Sequence, residues 1–267
     1  MTVFQALVLG ILQGLAEFLP ISSSAHLALV PWFLGWPEAG LAFDVSLHVG
    51  TLVAVLVYFR AEWARLIAAA WNIVRTRKVK TDSERRVIFL ILATIPGGIG
   101  GLLLADYAET TFRSPVLIAI ALMTLGVVLW IVDRYAPRTR SLRTMGWWDA
   151  LLIGVAQVFA LIPGVSRSGA TITAGRADRF DRESAAVFSF LMSMPIILAA
   201  AILEVPHALR DNGLSLPLVV GVIASAVSGW LAIAVLLRYV TRNSYGIFAI
   251  YRVVLGLVVL GVVFARG

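Results

Sequence analysis

Apolar residues run through this chain in six long stretches separated by short polar segments. A bilayer core of ~30 Å takes ~20 helical residues, and residues 41–60, 86–104, 115–133, 184–204, 216–237 and 247–265 are each about that long. They predict six membrane-spanning helices. Two further apolar stretches do not fit as spans. Residues 3–19 carry Glu17 and stop at Pro20, and a helix of that length reaches only ~25 Å. After Ser22-Ser23-Ser24, residues 25–35 are shorter still, and residues 149–162 give way at Pro163 to the polar, glycine-rich PGVSRSGAT (163–171). Each reads as a short helix, a polar turn and a return helix, which predicts re-entrant hairpins over 3–35 and 149–178. Irregular backbone at membrane depth persists only where protein or a water-filled cavity surrounds it. One more pattern stands out: Trp63, Leu66, Ile67, Ala70, Trp71 and Val74 recur at helical spacing beside Arg65, Arg75, Arg77 and Lys78, as in a helix lying on the membrane surface.

The two interrupted segments match each other. LVLGILQGLAEFLPISSSA (7–25) aligns with LLIGVAQVFALIPGVSRSG (151–169), so that Gly10 meets Gly154 and Gln13 meets Gln157. The prolines and serines follow after a one-residue slip. LATIPGG (92–98) falls on IASAVSG (223–229) more weakly, through small residues. Each half therefore holds one hairpin and three spans, repeat one over 1–135 and repeat two over 146–267, in a single membrane domain. Three is odd, so the second half enters the bilayer upside down relative to the first. The expected fold is an all-α integral membrane protein of two inverted-topology repeats, the plan of many transporters, whose sites form where the broken segments meet.

Composition agrees with lipid as the solvent. Only 14% of residues are charged, 60% are hydrophobic and the mean hydropathy is +0.92, whereas soluble domains average about 25% charged. A soluble enzyme, a nucleic-acid-binding domain and a disordered chain are excluded. The absence of cysteine removes disulfides, thiolate nucleophiles and cysteine metal sites. The net charge of +7 is distributed as topology: no Lys or Arg precedes Arg60, eight of the 22 lie between Arg60 and Arg86, and four lie between Arg134 and Arg143. A cleavable signal peptide of the usual kind is therefore not expected. Positive residues mark cytoplasmic loops, which places the loops after the first, third and fifth spans inside and 105–114 and 205–215 outside. Anionic lipid headgroups are the partner this charge implies. The first hairpin then enters from outside and the second from the cytoplasm, with their polar tips facing each other.

Those tips carry an unusual set of groups. The first brings Gln13, Glu17, Ser22, Ser23, Ser24 and His26; the second brings Ser166, Arg167, Ser168 and Thr171. Charge inside a bilayer is costly and marks function by default. Arginine is a planar fork for phosphate oxygens, and hydroxyls with the amides of a glycine-rich turn are anion donors. Glutamate has the wrong sign for a phosphate unless it holds a divalent cation or moves protons. With a serine and a histidine added, the set has the parts for phosphoryl transfer. A structural Glu17–Arg167 ion pair and an anion transporter remain open at this point. His48 and Asp44 at the start of the first span are explained as well by a helix start as by a site. Arg252, about five residues into the last span, either snorkels to the cytoplasmic face or meets a buried carboxylate or carbonyl. Asp181 before ESAAVF reads as a helix N-cap.

QGLAEFLPISSSAH (13–26), FDVSLHVGTLVAV (43–55), PGVSRSGAT (163–171) and IYRVVLG (250–256) resemble the undecaprenyl pyrophosphate phosphatases of the bacitracin-resistance type over essentially the whole chain. The resemblance implies a multi-pass enzyme of the bacterial inner membrane that converts the C55 lipid pyrophosphate to the monophosphate, with a site open to the periplasmic side. It implies dependence on Mg²⁺ or Ca²⁺, with Glu17 as the metal-binding acid. By the same resemblance Glu17, Ser23, His26 and Arg167 are catalytic, and Gln13, Ser22, Ser24, Ser166, Ser168 and Thr171 bind substrate. Gln13 stands where many relatives carry Glu, and Ala25 replaces a common glycine. Ser23 is the expected nucleophile with Glu17 or His26 handling protons; His26 as nucleophile is the rival assignment. A transporter or flippase of a polyprenyl phosphate or other anion is the alternative function, and the expectation leaves room for a homodimer.

Overall fold

The computed structural model describes residues 1–38, 40–109 and 111–266, and among them the regular elements are helical throughout. In chain order they are α1 (Val3–Phe18), α2 (Ser23–Leu34), α3 (Leu41–Tyr58), α4 (Arg60–Thr76), α5 (Asp82–Glu109), α6 (Pro115–Tyr135), α7 (Trp147–Val158), α8 (Arg167–Ala177), α9 (Arg182–Asn212), α10 (Leu216–Val240) and α11 (Gly246–Arg266). Six are long and apolar enough to cross a membrane: α3, α5 over Asp82–Leu104, α6, α9 over Arg182–Pro206, α10 and α11. The chain is a multi-pass, all-α membrane protein. Two of the segments expected as outer loops are shorter than hydropathy suggested. α5 runs on to Glu109 and α9 to Asn212, because hydropathy reports where the lipid ends and a helix does not have to end with it. Thr110 lies outside the described residues.

Both interrupted segments are helical hairpins broken in the same way. After α1 the backbone turns extended at Leu19, and Ser22 opens α2 at φ 75. After α7 a short 3-10 turn (Phe159–Leu161) leads through Pro163 and Gly164 (φ 99) to Ser166, which opens α8 at φ 71. A positive φ is uncommon outside glycine. Here each serine hydroxyl caps its helix, Ser22 accepting from the Ala25 N–H at 3.4 Å and Ser166 from the Gly169 N–H at 3.0 Å. Gly164 has no such freedom to grow: an added Cβ would lie 2.6 Å from the Ile118 carbonyl.

The hairpins are gripped by spans from the other end of the chain. α1 packs along α10 and α7 along α5, while α6 lies against α8 and α11, and α3 against α9 and α10. Small residues permit the α1–α10 approach, as in many membrane helix pairs. A Cβ added at Gly14 would fall 2.6 Å from the Gly229 nitrogen. Gly14→Leu is therefore expected to lower thermal stability in detergent by roughly 1–3 kcal/mol or more, read as an earlier loss of the monodisperse size-exclusion peak. Gly101→Ala, where nothing lies within 4 Å, is the neutral control.

Adjacent ends of α6, α8, α9 and α11 are tied by one buried carboxylate. Asp133 accepts from Arg176 Nε (3.1 Å), Arg182 Nε and Nη2 (both 2.7 Å) and the Tyr245 N–H (3.0 Å). Arg176 also donates to the carbonyls of Ala136, Pro137 and Phe180. Asp181 caps α9 as expected, accepting from the Ser184 N–H at 2.7 Å.

Candidate active site

The two broken tips meet. Ser22 Oγ accepts from the Gly164 N–H at 3.0 Å, and Ser168 Oγ donates to the Leu19 carbonyl at 3.2 Å. At that junction stands Glu17, placed by the last turn of α1 and 6% exposed. Its Oε2 accepts from Ser23 Oγ at 2.6 Å and from Gln13 Nε2, one turn earlier on α1, at 3.1 Å. Its Oε1 accepts from Arg167 Nε (3.3 Å) and Nη2 (3.1 Å). Ser23 and Arg167 each follow the capping serine of their own helix, so the two strained caps deliver the first side chains of α2 and α8 to one carboxylate.

Other helices complete the setting. Arg167 Nη1 donates to the Ser189 carbonyl of α9 at 2.8 Å, and Ser189 Oγ lies 2.7 Å from Thr171 Oγ1. Thr171 thus braces the arginine's footing and is itself buried. From α3, His48 Nε2 lies 3.4 Å from Glu17 Oε2, with its Nδ1 2.8 Å from the Asp44 carbonyl. A carbonyl only accepts, so Nδ1 carries a proton, and a second proton between Nε2 and Oε2 is what makes the other contact attractive. Ser24 Oγ is 3.2 Å from Ser22 Oγ, and Ser166 Oγ is 3.2 Å from Ser168 Oγ.

Glu17, Ser23, Ser24, His48, Ser166 and Arg167 line a cavity of about 200 Å³. The N-termini of α2 and α8 open onto it. A helix N-terminus carries partial positive charge and free N–H groups, so two of them with a guanidinium form an anion site.

Of the residues singled out in the sequence, Gln13, Glu17, Ser23 and Arg167 are in direct contact, and Ser22, Ser24, Ser166, Ser168 and Thr171 build the turns around them. His26 is elsewhere. Its Nδ1 donates to the Ser22 carbonyl at 2.7 Å, while its Nε2 accepts from the Tyr251 hydroxyl of α11 at 2.6 Å and its ring stacks on that tyrosine. The histidine that reaches Glu17 is His48. Its signal was present in FDVSLHVG, since an ionisable group within a span marks function by default.

Arg252 does not snorkel. It is fully buried and donates to the carbonyls of Pro20 (3.2 Å), Gly164 (2.7 Å), Val165 (3.0 Å) and Leu122 (3.1 Å). One guanidinium from α11 thereby joins both tips. Among the described residues no group of three or more His, Asp or Glu side chains is placed to hold a metal.

The class this defines is a polytopic membrane protein with a buried, anion-attracting polar site between two broken hairpins. The chain belongs to the bacitracin resistance protein BacA family, whose model matches residues 6–258. It is 63% identical to the undecaprenyl-diphosphatase of Gemmatimonas aurantiaca, over the whole of both chains. It is 49% identical to the undecaprenyl-diphosphatases of Pelotomaculum thermopropionicum, with all of this chain and 98% of the relative covered, and of Geobacter sulfurreducens, with both fully covered.

Proposed function

We propose that this protein hydrolyses undecaprenyl pyrophosphate to undecaprenyl phosphate and inorganic phosphate, returning the carrier lipid to peptidoglycan synthesis and so conferring bacitracin resistance. Full-length identity to undecaprenyl-diphosphatases supports the substrate. The observation that carries the chemistry is the 2.6 Å contact between Ser23 Oγ and Glu17 Oε2, a nucleophile within reach of its base. In this reading Ser23 Oγ attacks the terminal phosphorus as Glu17 takes its proton. The bond to the bridging oxygen breaks, lipid monophosphate leaves, and a phosphoserine remains. Glu17 hands that proton to the leaving lipid phosphate, then takes one from a water that attacks the phosphoserine, and returns it to Ser23 Oγ as inorganic phosphate leaves. Arg167 and the N–H groups that open α2 and α8 stabilise the charge developing on the phosphoryl oxygens. His48 shares the Glu17 proton, and His26 holds the first tip through Ser22.

The donor set fits a hard divalent cation of the Mg²⁺ or Ca²⁺ kind. Glu17 is a carboxylate, Ser23 a hydroxyl, and the buried Oε1 of Gln13 has no hydrogen-bond partner. Such ions accept a few protein oxygens when substrate phosphates supply the rest. When bound, the ion would neutralise phosphate charge. Phosphate release by the purified protein from a prenyl pyrophosphate is expected to cease in EDTA and to return with excess Mg²⁺ or Ca²⁺. Release that EDTA leaves unchanged removes the metal from this account.

The same reading places the protein in the bacterial inner membrane with the cavity open to the periplasm. The arginine-rich segments after α3, α6 and α10 support that orientation. The two-repeat, inverted plan is supported by the paired serine caps and by the exchange of hairpins between α10 and α5. All groups of the site come from one chain, so a homodimer would leave each site complete. A folded preparation that releases no phosphate under any metal overturns the proposal in favour of an anion or lipid transporter.

A further inference from the structure

The cavity at Glu17 has a mixed lining. Besides its acid, hydroxyls and guanidinium, the rest of its wall is apolar: Val45, Ala160, Ile196, Ile197 and Ala200. A pyrophosphate alone has no use for that apolar part, whereas an isoprenoid chain has no use for the polar one. Ala160 belongs to the 3-10 turn of the second hairpin, and Ile196–Ala200 to α9. That turn packs on α5, α7 and α8, and α9 packs on α3, α5 and α8, so the apolar wall is shared between two separate elements, the turn and α9.

The apolar lining reaches the outer surface of the protein, since Ala160, Ile196 and Ala200 are only half-buried. Ala160 and Ala200, one from each side, have the smallest side chains on this wall. Ala200 lies six residues before the end of the α9 span at Pro206, about 9 Å along the helix, which sets the slot in the outer half of the bilayer.

A larger apolar groove of about 610 Å³ runs between α6, α7 and α8, past Val128, Ala156 and Ala174. None of the polar side chains of the site lines it, and a chain lying there would have to round the Pro163–Val165 turn to reach Ser23.

We propose that the slot between the Phe159–Leu161 turn and α9 is the lateral door through which the long isoprenoid chain of a lipid pyrophosphate passes from the cavity into the membrane, with Ala160 and Ala200 setting its width. The inference rests on the phosphatase reading and names how that substrate is held. A bulky side chain at either alanine closes the door to a chain that must thread it and leaves the polar wall untouched.

The test compares wild type, Ala160→Phe and Ala200→Trp on two substrates, undecaprenyl pyrophosphate and dimethylallyl pyrophosphate, whose chain is one isoprene unit. The expected result is a fall in kcat/KM for the long substrate of about tenfold or more, with the short one changed by less than about threefold. Turnover of the short substrate also reports that each variant is folded. Equal losses on both substrates overturn the door, since the new side chain then fills the phosphate site. So does unchanged turnover of the long substrate, or selective loss of it in Ala156→Phe or Ala174→Phe, which would put the chain in the α6–α8 groove. Wild type that releases phosphate from neither substrate fails the phosphatase reading itself, a result distinct from any pattern among the variants.

Discussion

Glu17→Gln is expected to lower kcat by a factor of about 10³ or more, in line with losing both a base and a transition-state counter-charge. The substitution keeps the volume and the position on α1. The tips remain joined by the Ser22–Gly164 and Ser168–Leu19 bonds and by Arg252, so the protein should still purify as a folded species. What goes is the acceptor for the Ser23 proton and the partner of Arg167. A neutral amide cannot take a proton from a serine at neutral pH, and the guanidinium is left without its carboxylate. Steady-state phosphate release checks the rate, and thermal unfolding checks the fold. Near-normal turnover in Glu17→Gln would remove the serine–carboxylate pair from the mechanism.

Arg252→Leu should be nearly as damaging, for a different reason. Arg252 touches no carboxylate in the site; it donates to backbone carbonyls at the two broken turns and on α6. The carbonyls at the turns cannot be paired within a helix, because the turns interrupt the ladder. Each buried carbonyl left without a donor costs about 1–3 kcal/mol, and Pro20, Gly164 and Val165 would lose theirs together. The expected result is a clear drop in melting temperature together with loss of activity on long and short substrates alike. Arg252→Lys should rescue little, since an ammonium is not a planar fork. Activity measured in mild detergent with stability followed in parallel checks this. Full activity in Arg252→Leu would show that the tips hold their places unaided.

Much of this architecture was legible from the chain itself, for physical reasons that also explain what was not. Six spans follow from apolar runs, because in lipid every side chain outside the core must be apolar. The two hairpins follow from Pro20 and Pro163 with the serine- and glycine-rich turns after them, because broken helices need residues that satisfy their own backbone. Glu17 and Arg167 stand out because charge in such segments is expensive. Distances between helices are another matter. That Ser23 and Arg167 grip opposite oxygens of one carboxylate depends on two capping serines at positive φ, which alignment of the segments pairs but does not orient. His48, Ser189 and Arg252 enter from α3, α9 and α11, and periodicity tells which face of a helix is apolar without telling which helix it meets. His26 drew attention by its place after the serine run. A residue one turn into α2 projects to the side of that helix facing α11, and it finds Tyr251 there instead of Glu17.

The most direct test of the serine–carboxylate site is inorganic phosphate release from undecaprenyl pyrophosphate by wild type, Ser23→Ala and His26→Ala, each in the presence of divalent cation. The account predicts rapid release by wild type, loss of turnover in Ser23→Ala by about 10³ or more, and partial activity in His26→Ala. Near-normal release by Ser23→Ala with none from His26→Ala would contradict it.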